Sequence, residues 1–271
     1  MKKSLFLFAL LLTGLLTACL SDDDDEEKWD AAKVCPETGT NAYGMPNRGT
    51  FTDERDGEVY RYTTIGDQVW MAENLRFVLP AHYSMCYGME YCYPKERFLT
   101  DTATTCVKDT AKLMEIAQRM LSTCTDNDCI AEEYCKKFGR FYALKENVPN
   151  SNYSMLNRDV VDSVCPKGWH LPTESEWKVL LDQMGEDLSR YLSDEYQYFN
   201  EPKMYLNECS FSVLYGGYVR DTKLSELFHR AEFWSSTTGT YFASTAYFRG
   251  KNKDFGIGID EGLHHIRCLK N

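Results

Sequence analysis

The chain has 271 residues, 43% of them hydrophobic and 26% charged, a composition typical of a folded protein that excludes wholesale disorder. Its formal net charge is −11, from 30 basic and 41 acidic residues. Such a chain repels polyphosphate, which argues against nucleic acid as a partner. Eleven cysteines are many for a cytosolic protein and indicate an oxidising compartment.

Residues 1–18 have the pattern of a bacterial secretion signal. Two lysines precede an apolar run, residues 5–16, that is too short for a stable membrane span. The run leads into Leu-Thr-Ala-Cys, ending at Cys19, which resembles the lipobox of bacterial lipoproteins. The resemblance implies that Cys19 is acylated and becomes the first residue of the mature chain. Ordinary cleavage, with Cys19 left as a free thiol, is the alternative.

Residues 19–34 are predicted to form an acidic tether. The six consecutive acids at 22–27 repel one another and cannot pack. An acidic run directly after the lipid cysteine also resembles the surface-export signal of lipoproteins in Bacteroidota-like bacteria. We therefore expect an outer-membrane protein, anchored by the lipid on Cys19 and exposed at the cell surface. Its overall acidity suits a neutral glycan or an extracellular protein better than an anionic polymer.

The segment 49–75 predicts two turns and short strands. Asp56-Gly57 is a hairpin-turn signal, and residues 59–65 favour a strand. Gly66-Asp67 forms a second turn before the apolar strand 69–71.

Residues 87–134 are predicted to be a cysteine-rich helical insertion within a domain that spans 35–271. Asp109 can cap a helix whose apolar face is spaced every three or four residues. This face comprises Leu113, Ile116, Ala117, Met120 and Leu121. A shorter helix is predicted from about Asp128 to Lys137.

After an extended segment at 138–144 and a polar loop at 146–163, the strongest local signal is a helix from residue 173 to Met184. Thr173 and Glu176 form a capping box, and Gly185 ends the helix. The C-terminal third reads as short strands at 211–214, 218–219, 233–236, 241–249 and 266–269.

Ten cysteines remain once Cys19 is set aside, an even number that allows five disulfides. They are Cys35, Cys86, Cys92, Cys106, Cys124, Cys129, Cys135, Cys165, Cys209 and Cys268. A zinc site is the alternative, but the closest cysteines are separated by four or five residues instead of two, and no histidine lies near residues 124–135. Structural disulfides are therefore expected.

Six ordered motifs across residues 49–271 resemble the Fibrobacter succinogenes major paralogous domain, a family found on bacterial lipoproteins. The motifs are Thr52–Gly57 with Ile65–Leu75, Tyr87 after Cys86, Phe138–Tyr142, Cys165–Pro172, Phe233–Thr237 and Arg267-Cys268. The resemblance supports the lipoprotein prediction but implies no particular activity.

The Leu-Pro-Thr-Glu-x-Glu-Trp element also resembles formylglycine-generating and sulfatase-modifying proteins, which have a C-type-lectin-like fold. We therefore expect an α+β, loop-rich, disulfide-stapled domain of that kind. Carried over, the resemblance pairs Cys165 with Cys268. Cys86 and Cys135 flank the insertion and form a reasonable second pair. The four cysteines between them have three possible connectivities, and Cys35 and Cys209 remain for each other.

The sequence contains no strong catalytic or metal-binding motif. The oxidase chemistry of the relatives uses a close cysteine pair late in the domain, and none lies between Cys209 and Cys268. His264-His265 stands beside two acids, but adjacent side chains of a strand point to opposite faces. Glu201-Pro202-Lys203 keeps only part of a calcium-lectin triplet, with lysine in place of an oxygen ligand. We expect no cofactor, no resident metal and no enzymatic activity.

Tyrosine-rich runs are the candidate ligand contacts, because a tyrosine ring combines a flat apolar face with a polar tip. They are Tyr83, Tyr87, Tyr91 and Tyr93, and then Tyr191, Tyr196, Tyr198 and Tyr205. The sequence thus favours a surface-anchored, non-catalytic binding module for glycan or protein. A structural envelope component without its own ligand is the alternative, followed by an enzyme.

Overall fold

The computed structural model describes residues 28–79, 83–94, 104–114, 116, 124–147, 154–187, 190–191, 206–220, 223–238, 243–250, 254–260 and 262–271. The secretion signal, Cys19 and the acidic run lie outside these residues. So do residues 117–123, the second half of the helix predicted after Asp109.

The described part combines short helices with many short antiparallel strands. The helices are α1 (Ala31–Val34), α2 (Asn127–Phe138), α3 (Arg158–Ser163) and α4 (Glu174–Met184). The strands are β1 (Arg48–Thr52), β2 (Val59–Ile65), β3 (Gln68–Met71), β4 (Ser84–Met85), β5 (Tyr91–Pro94), β6 (Thr104–Val107), β7 (Phe141–Tyr142), β8 (Lys145–Asn147), β9 (Ser154–Leu156), β10 (Trp169–His170), β11 (Tyr218–Arg220), β12 (Lys223–Ser225), β13 (Arg230–Thr238), β14 (Ala243–Arg249), β15 (Asp254–Asp260) and β16 (Leu269–Lys270). The α+β, loop-rich prediction is confirmed.

Two sheets organise the domain. The larger has the order β1-β2-β3-β16-β10, so that the last strand lies between strands from the beginning and the middle of the chain. The smaller is the antiparallel sheet β13-β14-β15. Four two-stranded pairs lie outside these sheets in the described residues.

The hairpin predicted at 59–71 forms as β2 and β3. Ile65 and Gln68 are directly paired across the two-residue turn Gly66-Asp67. Gly66 has φ +55°, the left-handed conformation that such a turn requires and that glycine adopts at little cost.

Helix α4 forms with the predicted caps. The Thr173 hydroxyl accepts from the Glu176 backbone N–H, and the Glu176 carboxylate accepts from the Thr173 backbone N–H at 2.7 Å. Gly185 ends the helix with φ +68°. The buried face of α4, with Trp177, packs against β2 and the smaller sheet, so the helix joins the two sheets.

Several segments differ from the sequence prediction, among them strands β5 and β6 within the insertion that was expected to be helical. The polar loop expected at 146–163 contains α3, whose N-cap Asn157 accepts from the Val160 backbone N–H. Strand β15 was not predicted, because its glycines weaken the strand pattern. Residues 211–214 form no regular strand and instead line the core with Phe211 and Val213.

Two buried clusters form the core. One surrounds Trp70, Trp177, Phe211 and Phe233 beneath α4. The other contains Tyr60, Tyr142, Trp169 and Trp234 below the larger sheet.

The predicted insertion 87–134 contributes to the first of these clusters. Its buried side chains there are Tyr87, Leu113, Ile116, Ile130, Ala131 and Tyr134. The segment therefore packs as part of one domain and not as a separate unit.

Four disulfides are present in the described residues: Cys35–Cys209, Cys86–Cys135, Cys124–Cys129 and Cys165–Cys268. Cys165–Cys268 is the bond that the resemblance implies, and it joins the segment before α4 to the segment before β16. Cys124–Cys129 selects one of the three connectivities left open within the insertion. Cys92 and Cys106 stand directly opposite each other in β5 and β6.

Candidate functional site

The tyrosine runs do not form one ligand-binding surface. Tyr87 is fully buried, and its hydroxyl accepts from the Lys112 backbone N–H at 3.1 Å. Tyr191 is also fully buried, and its hydroxyl lies 3.1 Å from the Leu181 carbonyl and 3.0 Å from that of Gly185. Burial raises the pKa of Tyr87 to about 12 and raises that of Tyr191 further. The prediction that these two rings face a ligand is therefore wrong, because packing in the core covers them.

The other tyrosine candidates are not brought together either. Tyr83 is partly buried, and its hydroxyl accepts from the Asn157 side chain at 2.9 Å. Tyr91 and Tyr93 lie on β5. The structure describes the backbone of this strand but not its side chains. Tyr196, Tyr198 and Tyr205 lie outside the described residues.

A charged and aromatic face on the smaller sheet is the strongest candidate site. Directly opposed residues of an antiparallel pair share a face of the sheet. Phe233 and Ala246, one such pair, point into the core. The pairs on the opposite face are Arg230 with Arg249, Glu232 with Tyr247, and Trp234 with Thr245. We call this side of the sheet the polar face.

Glu232 is buried beneath the polar face and holds two of its side chains, Arg230 and Thr245. Its side chain is 0% exposed, and Oε1 accepts from the Thr245 hydroxyl at 2.6 Å. Oε2 lies 2.8 Å from Nη2 of Arg230, whose side chain is 11% exposed, and 3.7 Å from Nδ1 of the buried His264. A buried carboxylate is tolerated only when it is paired and hydrogen-bonded, and these contacts hold the Arg230 guanidinium in place.

Two partly exposed tyrosine rings border this ion pair. The Arg230 guanidinium carbon lies 5.1 Å from the ring centre of Tyr218 and 5.5 Å from that of Tyr247. Tyr247 lies across β15, where Gly256 and Gly258 leave room: a Cβ at Gly258 would lie 3.2 Å from its ring. The arrangement presents aromatic rings beside a fixed guanidinium, which suits stacking combined with hydrogen bonding.

The two adjacent histidines, His264 and His265, lie in different surroundings. His264 packs edge-on against Trp234, with ring centres 4.7 Å apart, on the side of Glu232. His265 stacks on Phe141 at 4.3 Å and donates from Nδ1 to the Arg140 carbonyl at 3.0 Å. Complete burial lowers the pKa of His265 to about 3, so that it stays neutral at physiological pH. Among the described residues, no group of three or more His, Cys, Asp or Glu side chains is arranged to hold a metal ion.

Arg267 of the predicted Arg-Cys motif is a buried structural cation. It is 0% exposed and donates to Asn74 Oδ1 at 2.6 Å and to the Phe211 carbonyl. Its guanidinium also lies over the Phe211 and Phe233 rings. Burial lowers its pKa to about 9, and the bonds fix the loop 211–212 against the last segment of the chain.

Sequence reasoning placed residues 218–219, 233–236 and 241–249 on strands, but it identified no residue of the polar face as a ligand contact. A signal was present in β15, because Asp-Phe-Gly-Ile-Gly-Ile-Asp alternates between polar or small and apolar residues. Such alternation indicates strands with one face in the core and one outside it.

The comparisons with known proteins identify the family of this chain. The described residues define an α+β, disulfide-bonded domain with a charged, aromatic face on a small antiparallel sheet. The model of the Fibrobacter succinogenes major domain matches residues 63–270, so the chain belongs to that family. No curated protein and no solved structure matches the chain. No helix in the described part of the chain is long and apolar enough to cross a membrane.

Proposed function

We propose that this protein is a non-catalytic extracellular binding module, held at the bacterial surface by a lipid on Cys19, whose ligand is a glycan. The observation that carries the proposal is the polar face, where Tyr218 and Tyr247 stand beside an arginine fixed by a buried carboxylate. Sugar rings combine apolar C–H faces with hydroxyls, and aromatic rings beside charged hydrogen-bonding groups match both.

The energetics of the Arg230–Glu232 pair support a role in binding. Burying an ion pair is at best neutral for stability compared with apolar packing, because both charges lose hydration. The Arg230–Glu232 pair therefore adds little to the stability of the sheet. A fixed guanidinium reduces the conformational entropy that a ligand contact would otherwise lose.

The N-terminal region supports attachment at the surface. The first described residues after the acidic run dock on the domain, since Trp29 Nε1 donates to the Gln183 carbonyl at 2.9 Å and its ring lies under Arg190. An acylated Cys19 followed by six acids would then act as a solvated spacer between the outer membrane and this docking point.

The finer fold assignment that we propose is C-type-lectin-like. Its support is the central helix α4 between two sheets, the Cys165–Cys268 bond, and the position of β16 beside β3 and β10. These features bring the early, middle and last parts of the domain together, as that architecture requires.

A glycan array probed with the full-length chain, purified in detergent with its disulfides intact, tests the function. We expect saturable binding that Tyr218→Ala and Tyr247→Ala each weaken by about tenfold, the usual effect of truncating a central aromatic contact. Tyr43→Ala is the matched control, because Tyr43 is 43% exposed and lies outside the polar face. If the folded chain binds no glycan, or if Tyr43→Ala weakens binding as much, the proposal is wrong and a structural envelope role becomes the better account.

A further inference from the structure

The polar face carries an alternating stack of three arginines and two tyrosines. Arg220 lies 5.4 Å from the Tyr218 ring centre, and Arg249 lies 5.0 Å from that of Tyr247. With Arg230 between the two rings, the order is Arg220, Tyr218, Arg230, Tyr247, Arg249. We call this the arginine–tyrosine ladder.

The ladder brings like charges together, which lowers the stability of the sheet. Arg230 and Arg249 are directly paired across β13 and β14, and like charges at opposed positions destabilise a sheet. Glu232 compensates Arg230 from below, but it is fully buried and does not face outward. Arg249 forms an ion pair with Asp254 at 3.7 Å, with both side chains about two-fifths exposed (39% and 42%). An exposed pair at that distance contributes little and exchanges readily for a better acceptor.

We propose that the arginine–tyrosine ladder binds a carboxylate-bearing saccharide, a uronic-acid type of polymer, with the carboxylate on Arg249 and sugar rings against Tyr247 and Tyr218. This inference rests on the proposed glycan-binding function and names its ligand class. A guanidinium presents a planar fork of N–H donors that matches a carboxylate in two parallel hydrogen bonds, which a neutral hydroxyl cannot accept. Arg230 is a positioning residue here, since its guanidinium is held by Glu232 between the two rings.

The net charge of −11 does not oppose this ligand at contact distance. At physiological ionic strength, charges are screened beyond about 8 Å, so the guanidiniums of the ladder determine the local potential. Asp182, Glu186 and Asp254 line a neighbouring cleft of about 620 Å³ beside α4. An anionic ligand therefore approaches Arg249 from the Tyr247 side, and Asp254 is the acid that competes with it.

The test compares polygalacturonic acid with its fully methyl-esterified form, which has the same backbone without the charge. Using the full-length chain in detergent, we expect binding of the acid to exceed that of the ester by about tenfold, and to weaken as salt is added. Arg249→Gln should lower affinity for the acid about tenfold, and Arg249→Lys should recover only part of the loss.

Asp254→Asn gives the sharpest outcome, because removing the competing carboxylate should raise affinity for the acid by a few fold. A purely structural role for Asp254 predicts no such gain. Arg61→Gln is the matched control, since Arg61 is 60% exposed and forms a similar exposed pair with Glu73 at 3.6 Å on the larger sheet.

The possible failures are distinguishable. Equal binding of acid and ester, or binding of neutral glycans alone, overturns this inference and leaves the proposed function standing. Equal binding of polyglutamate or dextran sulfate overturns it as well, because charge alone would then explain the result. No binding to any glycan overturns both proposals.

Discussion

At the scale of single residues, burial decides which side chains can act, and burial is a property of the folded chain. Tyr87 and Tyr83 lie four positions apart in one tyrosine run, yet one is enclosed by the core and the other is only partly buried. Tyr218 and Tyr247 stand in no such run, and they border the candidate site. Local sequence density of tyrosine therefore does not predict where the rings point.

The His170–Glu176 pair at the start of α4 makes stability depend on pH. Oε1 of Glu176 lies 3.0 Å from His170 Nε2, and Asn271 Oδ1 lies 2.7 Å from Nδ1. The hydrogen bond to Glu176 raises the pKa of His170 above its ordinary 6.5. Burial would raise the pKa of Glu176, but hydrogen bonds from His170 and Thr173 outweigh it and hold the pKa at about 2.

The signs of the two shifts define a pH window. The Glu176 contribution is present above pH 4.5 and is lost as the pH falls towards 2, while the His170 contribution is present below pH 6.5 and is lost as the pH rises through its folded pKa. The pair therefore stabilises most between these limits, by less than about 1 kcal/mol because both side chains are a third exposed. Urea unfolding of the wild type and His170→Gln at pH 3, 5.5 and 8 measures this. A difference that is the same at pH 5.5 and pH 8 would contradict it.

At the scale of elements, α4 was predictable and α3 and β15 were not. The signals for α4 are local: a capping box, a four-residue apolar spacing and a terminal glycine. Helix α3 is only six residues long and rich in valine, so its formation depends on the burial of Val161 and on the Asn157 cap. The glycines of β15 read as strand breakers until the register shows that they lie beside Tyr247 on the neighbouring strand.

Removing the N-cap hydroxyl of α4 should destabilise the whole domain, because this helix joins the two sheets. Thr173→Ala leaves the Glu176 backbone N–H without its acceptor and should lower the free energy of unfolding by about 1 kcal/mol. Thr173→Ser keeps the hydroxyl and is the control. Urea midpoints with unchanged slopes would report the loss, and equal midpoints for the two variants would count against the capping account.

At the scale of the whole molecule, the sequence predicted the class of fold and the family but not the candidate site. The fold class and the family could be predicted because their motifs are contiguous in the chain. Strands β13, β14 and β15 pair with their neighbours in the chain. Strand β11 and His264 join the polar face through isolated bridges, such as Val219 with Leu263 and Phe233 with His265. A sequence pattern can indicate that one side of a strand is polar. It does not indicate which other polar segments lie beside that strand in the folded chain.

The proposed attachment to the membrane also belongs to this scale, and in that proposal it depends on one residue. Cys19→Ser should abolish fatty-acid labelling and move the protein from the membrane to the soluble fraction, because the lipid is the proposed anchor. Retention of Cys19→Ser in the membrane fraction would show that another element anchors the chain.

Replacing the acids 22–27 with serine and asparagine should keep the lipid but reduce protease accessibility on intact cells.

The Cys35–Cys209 bond has a mechanical consequence. A pull on the segment that precedes Cys35 enters the domain at a covalent junction, and the load passes directly to residue 209 without crossing the 173 residues between them. Those residues, including the larger sheet's first three strands and α4, form a closed loop that tension cannot extend. If the load leaves through Arg249, the chain between residues 209 and 249 carries it, so a drag force on a bound polymer acts on the part of the domain that holds the ladder and cannot extend residues 36–208.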